Sequence, residues 1–412
     1  MRFFTYAFIL SFISISAFSQ RNCASAEYAA RTVATVNLNS VPSLYSRDTI
    51  ANEIITIPVV VHVLYHNSLQ NISDAQIKSQ LKVLNDDFRR MNTDAVNTPL
   101  AFQPAAADTR IMFCLAQMDP NGRAHSGIIR KYTNKESFEI DDAMKFSAAG
   151  GDDAWNSRKY LNIWICKMNN NVIGYASLPG SQADKDGIVV QYDAFGTTGV
   201  LNASHNKGRT TIHEVGHWLG LKHIWGDNTC GDDGIGDTPT QFSFNSGCPV
   251  YPHLSNCSPD NRGDMFMNYM DYTSDGCMNM FTQDQKIKMR GLFSISGVRN
   301  SFMSSFACDS TLATAAPLPV DTTSVVPEIT AELSGLSVFP NPATTQIGFV
   351  LKGGYDLTGK VIRVVHPGGT VVMQHKMISN EEKLDVSQLH QGIYMLIIGS
   401  GSDRKVLKMI KL

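Results

Sequence analysis

Thr211-Ile-His-Glu-Val-Gly-His-Trp-Leu-Gly-Leu-Lys-His223 constrains this chain more than any other stretch, because it has the form H-E-x-x-H-x-x-G-x-x-H. His213 and His217 stand four residues apart, so on a helix both imidazoles leave one face about one turn apart and reach a common point. A third histidine six residues after His217 lies too far along a continuing helix, so the chain must turn sharply. Gly220 supplies the residue that tolerates positive φ there, and the turn returns His223 to the other two. Three neutral ring nitrogens are a donor set for one zinc ion with a position left open to water. The ion lowers the pKa of that water to about 7, and Glu214, between the first two histidines, is placed to take its proton. This is the chemistry of peptide-bond hydrolysis.

A helix of that kind needs a core around it, and 412 residues are enough for more than one. Lys and Arg number 35 against 37 acidic residues, with no run of like charge, which points away from nucleic acid and anionic membrane as partners. The first residues place Arg2 before an apolar run ending in Ala17-Phe-Ser19, the pattern of a secretory signal over 1–19. The run is short and rich in serine, so it reads as a signal and not as a transmembrane anchor. Export gives the eight cysteines a disulfide-permissive setting. Cys230, Cys248, Cys257 and Cys277 cluster after the histidines, and two readings stand for them. A structural zinc site is one, but no C-x₂-C pair is present; two disulfides stapling a long loop are the other. Cys114 and Cys166 sit in apolar runs and read as buried thiols.

Residues 20–52 are polar and too few for a core, and read as a pro-segment. Ile55 to Tyr65 is a nearly unbroken β-branched run, expected for a strand covered on both faces. Ser73-x-x-Gln76 followed by Ile77, Leu81, Leu84 and Phe88 predicts a capped amphipathic helix over 73–91. Strands are expected near 111–116, 160–168 and 187–193, so strand and helix alternate in a twisted α/β (α+β) layer. Val172 to Gly180 reads as a short edge strand onto which an extended peptide could add. Gly231 to Thr238 is acidic and glycine-rich; calcium binding and a plain solvated loop both fit it. Thr282-x-x-Gln285 caps a helix running to about Phe293. The stretch 311–332 reads as a linker, and apolar runs separated by turns over 333–412 read as a small all-β sandwich.

The zinc stretch, Asp237-Thr-Pro239, Asn268-Tyr-Met-Asp-Tyr272 and Cys277-Met-Asn-Met-Phe281 together make residues 55–300 resemble the pappalysin family of metzincin metallopeptidases. The long, cysteine-bearing interval from His223 to Met270 fits that family better than the matrixins. The resemblance implies a mixed, twisted sheet with a zinc helix in a catalytic domain over 53–310. It implies a Met-turn in which Met270 floors the zinc, and Tyr272 as donor to the tetrahedral oxyanion; the plain reading of Tyr272 is a buried aromatic. It implies calcium held by Asp232, Asp233, Ile235, Asp237 and Thr238, and disulfides pairing Cys230 with Cys257 and Cys248 with Cys277. The rim Gly174 to Ser177 would hold substrate as an antiparallel strand, and Asp275 beyond the Met-turn hints at basic side chains. The tail, with Pro340-Asn-Pro342 and Gly392-Ile-Tyr394, resembles the C-terminal sorting domain of the type IX secretion route, against which an accessory substrate-binding sandwich is the competing reading. The protein is then expected to cross the periplasm to the cell surface or beyond.

Two functions remain on sequence alone. One is a secreted zinc endopeptidase, made as a zymogen, that cleaves extended protein or peptide substrates. The other is an inactive metzincin scaffold serving as a secreted binding or adhesion protein, and Glu214 argues against it, since a shape-only scaffold needs no carboxylate beside the metal. Cys23 in the pro-segment is a candidate latency switch, its thiolate filling the position that water needs. An incidental thiol and a bridge to Cys308 are its other readings.

Overall fold

The computed structural model describes residues 22–32, 53–305, 307–309, 336–351, 356–366, 371–398 and 405–412. The signal read over 1–19 and the linker over 311–332 lie outside them. The first element is a helix, α1 (Ser25–Thr32), followed by the strand β1 (Ile55–Tyr65) and the helix α2 (Asp74–Phe88). Four parallel strands come next or flank it: β2 (Ile111–Leu115), β3 (Ile128–Tyr132), β4 (Leu161–Cys166) and, after the short β5 (Gly174–Ala176), β6 (Gly187–Gln191). They form one sheet in the order β2-β1-β4-β6-β5, with β3 continuing beside β1 past the end of β2. Every pairing is parallel except that of β5 with β6, which makes the sheet mixed and leaves β5 at its edge.

β1 is central because its residues serve two cores at once. Ile55, Ile57, Val59, Val61 and Val63 enter the large core on the face covered by α2 and by α3 (Arg209–Trp218), while Leu64 belongs to a second cluster on the opposite face. Each fully buried aliphatic side chain there contributes about 1.5–3 kcal/mol. His62, on the second face, is also buried and lies between Asp152 (2.7 Å) and Asn162 (3.1 Å), its ring stacked on Trp164.

Only half of the expected capping box forms at α2. The Ser73 hydroxyl accepts from the Gln76 N–H, but the Gln76 amide donates to the carbonyls of Tyr192, Phe195 and Val200. The side chain is turned instead to a segment 116 or more residues away, where its NH2 group serves three backbone carbonyls. The box at α4 (Gln283–Gly291) is complete, and Gln285 also exchanges hydrogen bonds with Asn268 at 2.9 and 3.1 Å.

Cys114 is not a free thiol: it bonds to Cys308, joining the end of β2 to the segment after α4. This also removes Cys308 as a partner for Cys23. Cys230 pairs with Cys257 and Cys248 with Cys277, closing short loops whose restraint on the unfolded chain is worth about 2–4 kcal/mol each. Cys23 and Cys166 are free and buried.

The C-terminal strands build two facing sheets. β7 (Leu336–Phe339), β8 (Gln346–Leu351) and β11 (Leu384–Asp385) form one; β9 (Val361–Val365), β10 (Val371–Lys376), β12 (Gly392–Ile398) and β13 (Lys405–Lys411) form the other. Ile347, Ile362, Val364, Leu396 and Met409 fill the space between them. Among the described residues no helix is long and apolar enough to cross a membrane.

Candidate active site and metal centre

All ten residues of α3 are buried, which a helix carrying Arg209, His213, Glu214 and His217 can tolerate only if each polar group finds a partner. Arg209 donates to Asp87 on α2 (3.1 Å), to both oxygens of Asp94 (2.7 Å each) and to the Asp275 carbonyl (2.7 Å). The Asp275 carboxylate accepts from the Lys207 and Arg209 backbone N–H groups at 2.9 and 3.1 Å. Asp275 therefore caps α3, a different role from the one its position after the Met-turn suggested. At the other end the helix closes in a Schellman turn: the Gly220 N–H donates to His217 and the Leu221 N–H to Gly216, with Gly220 at φ 85°.

That turn brings the three histidines together. Their Nδ1 atoms face the Tyr269 carbonyl (2.7 Å), the Leu221 carbonyl (2.9 Å) and Asp227 Oδ1 (2.5 Å). These partners only accept, so each Nδ1 carries the proton and each Nε2 presents a lone pair. The Nε2 atoms of His213 and His223 both lie 3.1 Å from that of His217. Three converging lone pairs repel unless a cation sits among them, and burial and His223 push His217 down to about 3, keeping it a neutral donor. Cys23 Sγ completes a buried group whose four ligand atoms all lie within 4.8 Å of one another. The donor set fits zinc, with nitrogen and sulfur in the number a tetrahedral ion takes. Burial and Glu214 push the Cys23 thiol up, and only a cation would reverse that.

Met270 is buried beneath the helix, its backbone N–H held by Asn268 Oδ1 at 2.9 Å. A Cβ at position 216 would collide with Met270 Sδ, so Gly216 is what lets the methionine approach. Gly216→Ala should gain about 1 kcal/mol of helix propensity and lose about 1–3 kcal/mol to overpacking. A melting temperature about 3 °C below that of the parent protein is the expected result; a variant melting at or above it would show that Met270 retreats without cost.

Tyr272 lies beside the histidines, its ring centroid 4.9 Å from that of His223, with Trp225 and Phe244 continuing the aromatic wall at 4.7 and 5.4 Å. Trp225 also stacks on His223 at 4.4 Å and 6°. Asp271, fully buried, accepts from the Asn245 backbone and side chain, the Gln241 amide and the Tyr272 N–H, tying Phe244's loop to Tyr272. Trp225, Asp227, Phe244 and Asp271 were not singled out from sequence. Asp227 alone had a local signal, a carboxylate four residues after the third histidine.

Residues 22–28, part of the stretch read from sequence as a pro-segment, lie across this site. Asn22 O accepts from the Ile173 N–H, and the Ala24 N–H donates to Gly174 O, so the segment runs parallel to β5. The Tyr272 hydroxyl donates to the Cys23 carbonyl at 2.9 Å. The Ser25 hydroxyl donates to Glu214 Oε2 at 2.9 Å and accepts from the Ala176 N–H at 2.9 Å. Glu214 itself packs against Gly174, where a Cβ would stand 2.8 Å from its Oε1.

In the glycine-rich loop, Asp232 accepts from the Gly234 N–H, Asp233 Oδ1 from the Ile235 N–H and the Thr238 hydroxyl, and Asp237 Oδ2 from the Asp284 N–H. Asp233 Oδ2 and Asp237 Oδ1 are buried without a protein partner, and burial pushes Asp233 up to about 6.

Residues 147–294 match the family model described as pregnancy-associated plasma protein-A, and residues 337–412 match that of the secretion system C-terminal sorting domain. The chain is similar to Tannerella forsythia mature mirolysin solved in complex with a cleaved peptide: 51% identity, covering 61% of this chain and 96% of that one, at a TM-score of 0.60. It is also similar to a Tannerella forsythia promirolysin mutant, at 45% identity, 68% and 97% coverage and a TM-score of 0.62. An extracellular metalloprotease of Verticillium alfalfae is 30% identical over 231 residues, 54% of this chain and 69% of the relative. A histidine cluster on a buried helix, a sheet shared with mirolysin and a sorting domain behind it leave one family, and the chain belongs to it: the pregnancy-associated plasma protein-A family of metallopeptidases, here in a secreted or cell-surface form.

Proposed function

We propose that the mature protein is a zinc endopeptidase that binds an extended polypeptide along β5 and hydrolyses it with Glu214 as base, and that residues 20–52 are removed to release it. The observation that carries this reading is the convergence of His213, His217 and His223 with Glu214 and Tyr272, every one of them engaged or overlain by the pro-segment. Zinc held by the three histidines supplies Lewis acidity and brings the pKa of a water down to about 7. Glu214 Oε2, freed from Ser25, accepts the proton of the attacking water and returns it to the leaving amine. The Tyr272 hydroxyl, freed from the Cys23 carbonyl, donates to the carbonyl oxygen of the scissile bond as negative charge develops there. Cys23 C=O is thus a stand-in for the scissile carbonyl. The pro-segment escapes cleavage because it lies parallel to β5, whereas a substrate would pair antiparallel to the same edge.

Cys23 is the latency switch in this reading: its sulfur would hold the metal together with the three histidines and so keep water from it. Calcium at Asp233 and Asp237, with Asp232, the Ile235 carbonyl and Thr238 completing the loop, would neutralise the two unpartnered buried oxygens. The sandwich over 333–412 would address the protein to type IX secretion, with the catalytic domain over 53–310 and the linker over 311–332 as its cargo. Casein digestion by the matured protein, with and without a zinc chelator, tests the central proposal. Hydrolysis abolished by chelator and restored by zinc is expected. A matured protein that binds stoichiometric zinc and cleaves nothing would favour the inactive-scaffold reading.

A further inference from the structure

The face of the sheet turned away from α3 carries a charged cluster that the metal site does not use. Lys145 is completely buried, and its ammonium pairs with Asp142 at 2.9 Å and donates to the Lys185 carbonyl at 2.9 Å. Three aromatic rings surround it, Tyr28, Tyr175 and Trp164, with centroids 4.8, 4.9 and 5.5 Å from Nζ. Asp142 accepts from the hydroxyls of both tyrosines, Tyr28 at 3.0 Å and Tyr175 at 3.2 Å. All of these groups but one lie in the catalytic domain. The exception is Tyr28, on α1 of the pro-segment, whose ring meets that of Tyr175 at 4.8 Å.

Loss of the pro-segment therefore opens a socket whose wall is Tyr175 and whose floor is the Asp142–Lys145 pair. The register of β5 says what can enter it. A peptide added to a sheet edge points alternate side chains to opposite faces. Those on the α3 face meet the metal centre, and those on the other face meet Tyr175. The pro-segment advances along β5 from Ile173, bonded by Asn22, to Ala176, bonded by Ser25, and Tyr28 follows. An antiparallel peptide reaches that same end with residues preceding its cleaved bond.

We infer that Tyr175, Asp142 and Lys145 form a subsite of the mature enzyme, N-terminal to the scissile bond, that selects a tyrosine side chain of the substrate, and that Tyr28 is its built-in occupant in the precursor. This rests on the endopeptidase reading above. A phenol is matched on three counts: its ring against Tyr175, its face over the ammonium, and its hydroxyl on Asp142. Phenylalanine lacks the third. Lysine or arginine would bring a cation beside Lys145 and Lys185, the latter 3.6 Å from Asp142, and an acidic side chain would face Asp142 itself.

The test uses enzyme matured from the full chain and a set of otherwise identical quenched peptides bearing Tyr, Phe or Ala at each of the four positions before the cleaved bond. Chelator-sensitive cleavage of the Ala reference peptide establishes the endopeptidase reading by itself. At one position Tyr should raise kcat/KM about tenfold over Ala, mainly through KM, with Phe between them. Asp142→Ala should then bring the ratio of kcat/KM for Tyr over Phe to about one, a ratio taken within one preparation so that any loss common to all the peptides cancels. Values of kcat/KM within about twofold for Tyr, Phe and Ala at every position overturn the subsite and leave the endopeptidase reading standing; this arm needs no variant. A preference for Tyr that survives Asp142→Ala overturns its assignment to this socket.

Discussion

Replacing Glu214 by alanine is expected to lower kcat/KM on any peptide by about 10²–10⁴-fold while leaving zinc content and fold unchanged. The carboxylate is fully buried, and burying an ionised group costs free energy, so its loss removes a penalty along with the hydrogen bonds that Ser25 and Cys23 donate to it. The Nδ1 protons that orient the three histidines go to Tyr269, Leu221 and Asp227. Hydrolysis and metal binding should therefore separate. Zinc stoichiometry by elemental analysis, a thermal melt and peptide kinetics on the same preparation, its pro-segment removed by an added protease, check all three. Activity within about tenfold of the parent enzyme would exclude Glu214 as the base.

Cys23→Ala is expected to shorten the life of the purified precursor by about tenfold or more, with new termini near Arg31 or Arg47. Among the described residues before β1, Cys23 is the one with a ligand atom in the metal group, yet it does not act alone. Ser25 still covers Glu214, the Cys23 carbonyl still occupies Tyr272, and Tyr28 still anchors α1 on Asp142. Latency should thus weaken and not vanish, and Cys23→Ala with Ser25→Ala should mature faster than either alone. Intact-mass measurement over hours of incubation reads the difference. A Cys23→Ala precursor as long-lived as the parent would assign latency to the remaining contacts and remove the thiol from it.

Much of the architecture was legible because it follows from short-range rules. The run 55–65 reads as a strand covered on both faces, and β1 feeds cores on both. The histidines of α3 share a face because a helix repeats every 3.6 residues, and Gly220 turns the chain because glycine accepts positive φ. The alternating runs near the C-terminus read as a sandwich for the same kind of reason, a period of two between turns. β3 was missed: Ile128-Ile-Arg-Lys-Tyr132 is half exposed and carries two basic residues, and only parallel pairing with β1 makes it a strand.

Contacts between distant segments decided the rest. Cys114 finds Cys308 across 194 residues, a pairing that no spacing encodes. Gln76 has the sequence of a cap and gives its amide to another segment, where its NH2 group serves three backbone carbonyls. Ser25 and Tyr28 look like ordinary residues of a polar leader, and acquire their partners Glu214 and Asp142 only when the leader lies along β5. The sequence by itself determined the donor set, the helix that carries it and the turn that closes it, since all of these lie within the short stretch 209–223 governed by backbone geometry. Which groups of the precursor cover that set, and which socket they fill beside it, was decided only by tertiary structure, because edge pairing and burial join residues more than a hundred positions apart.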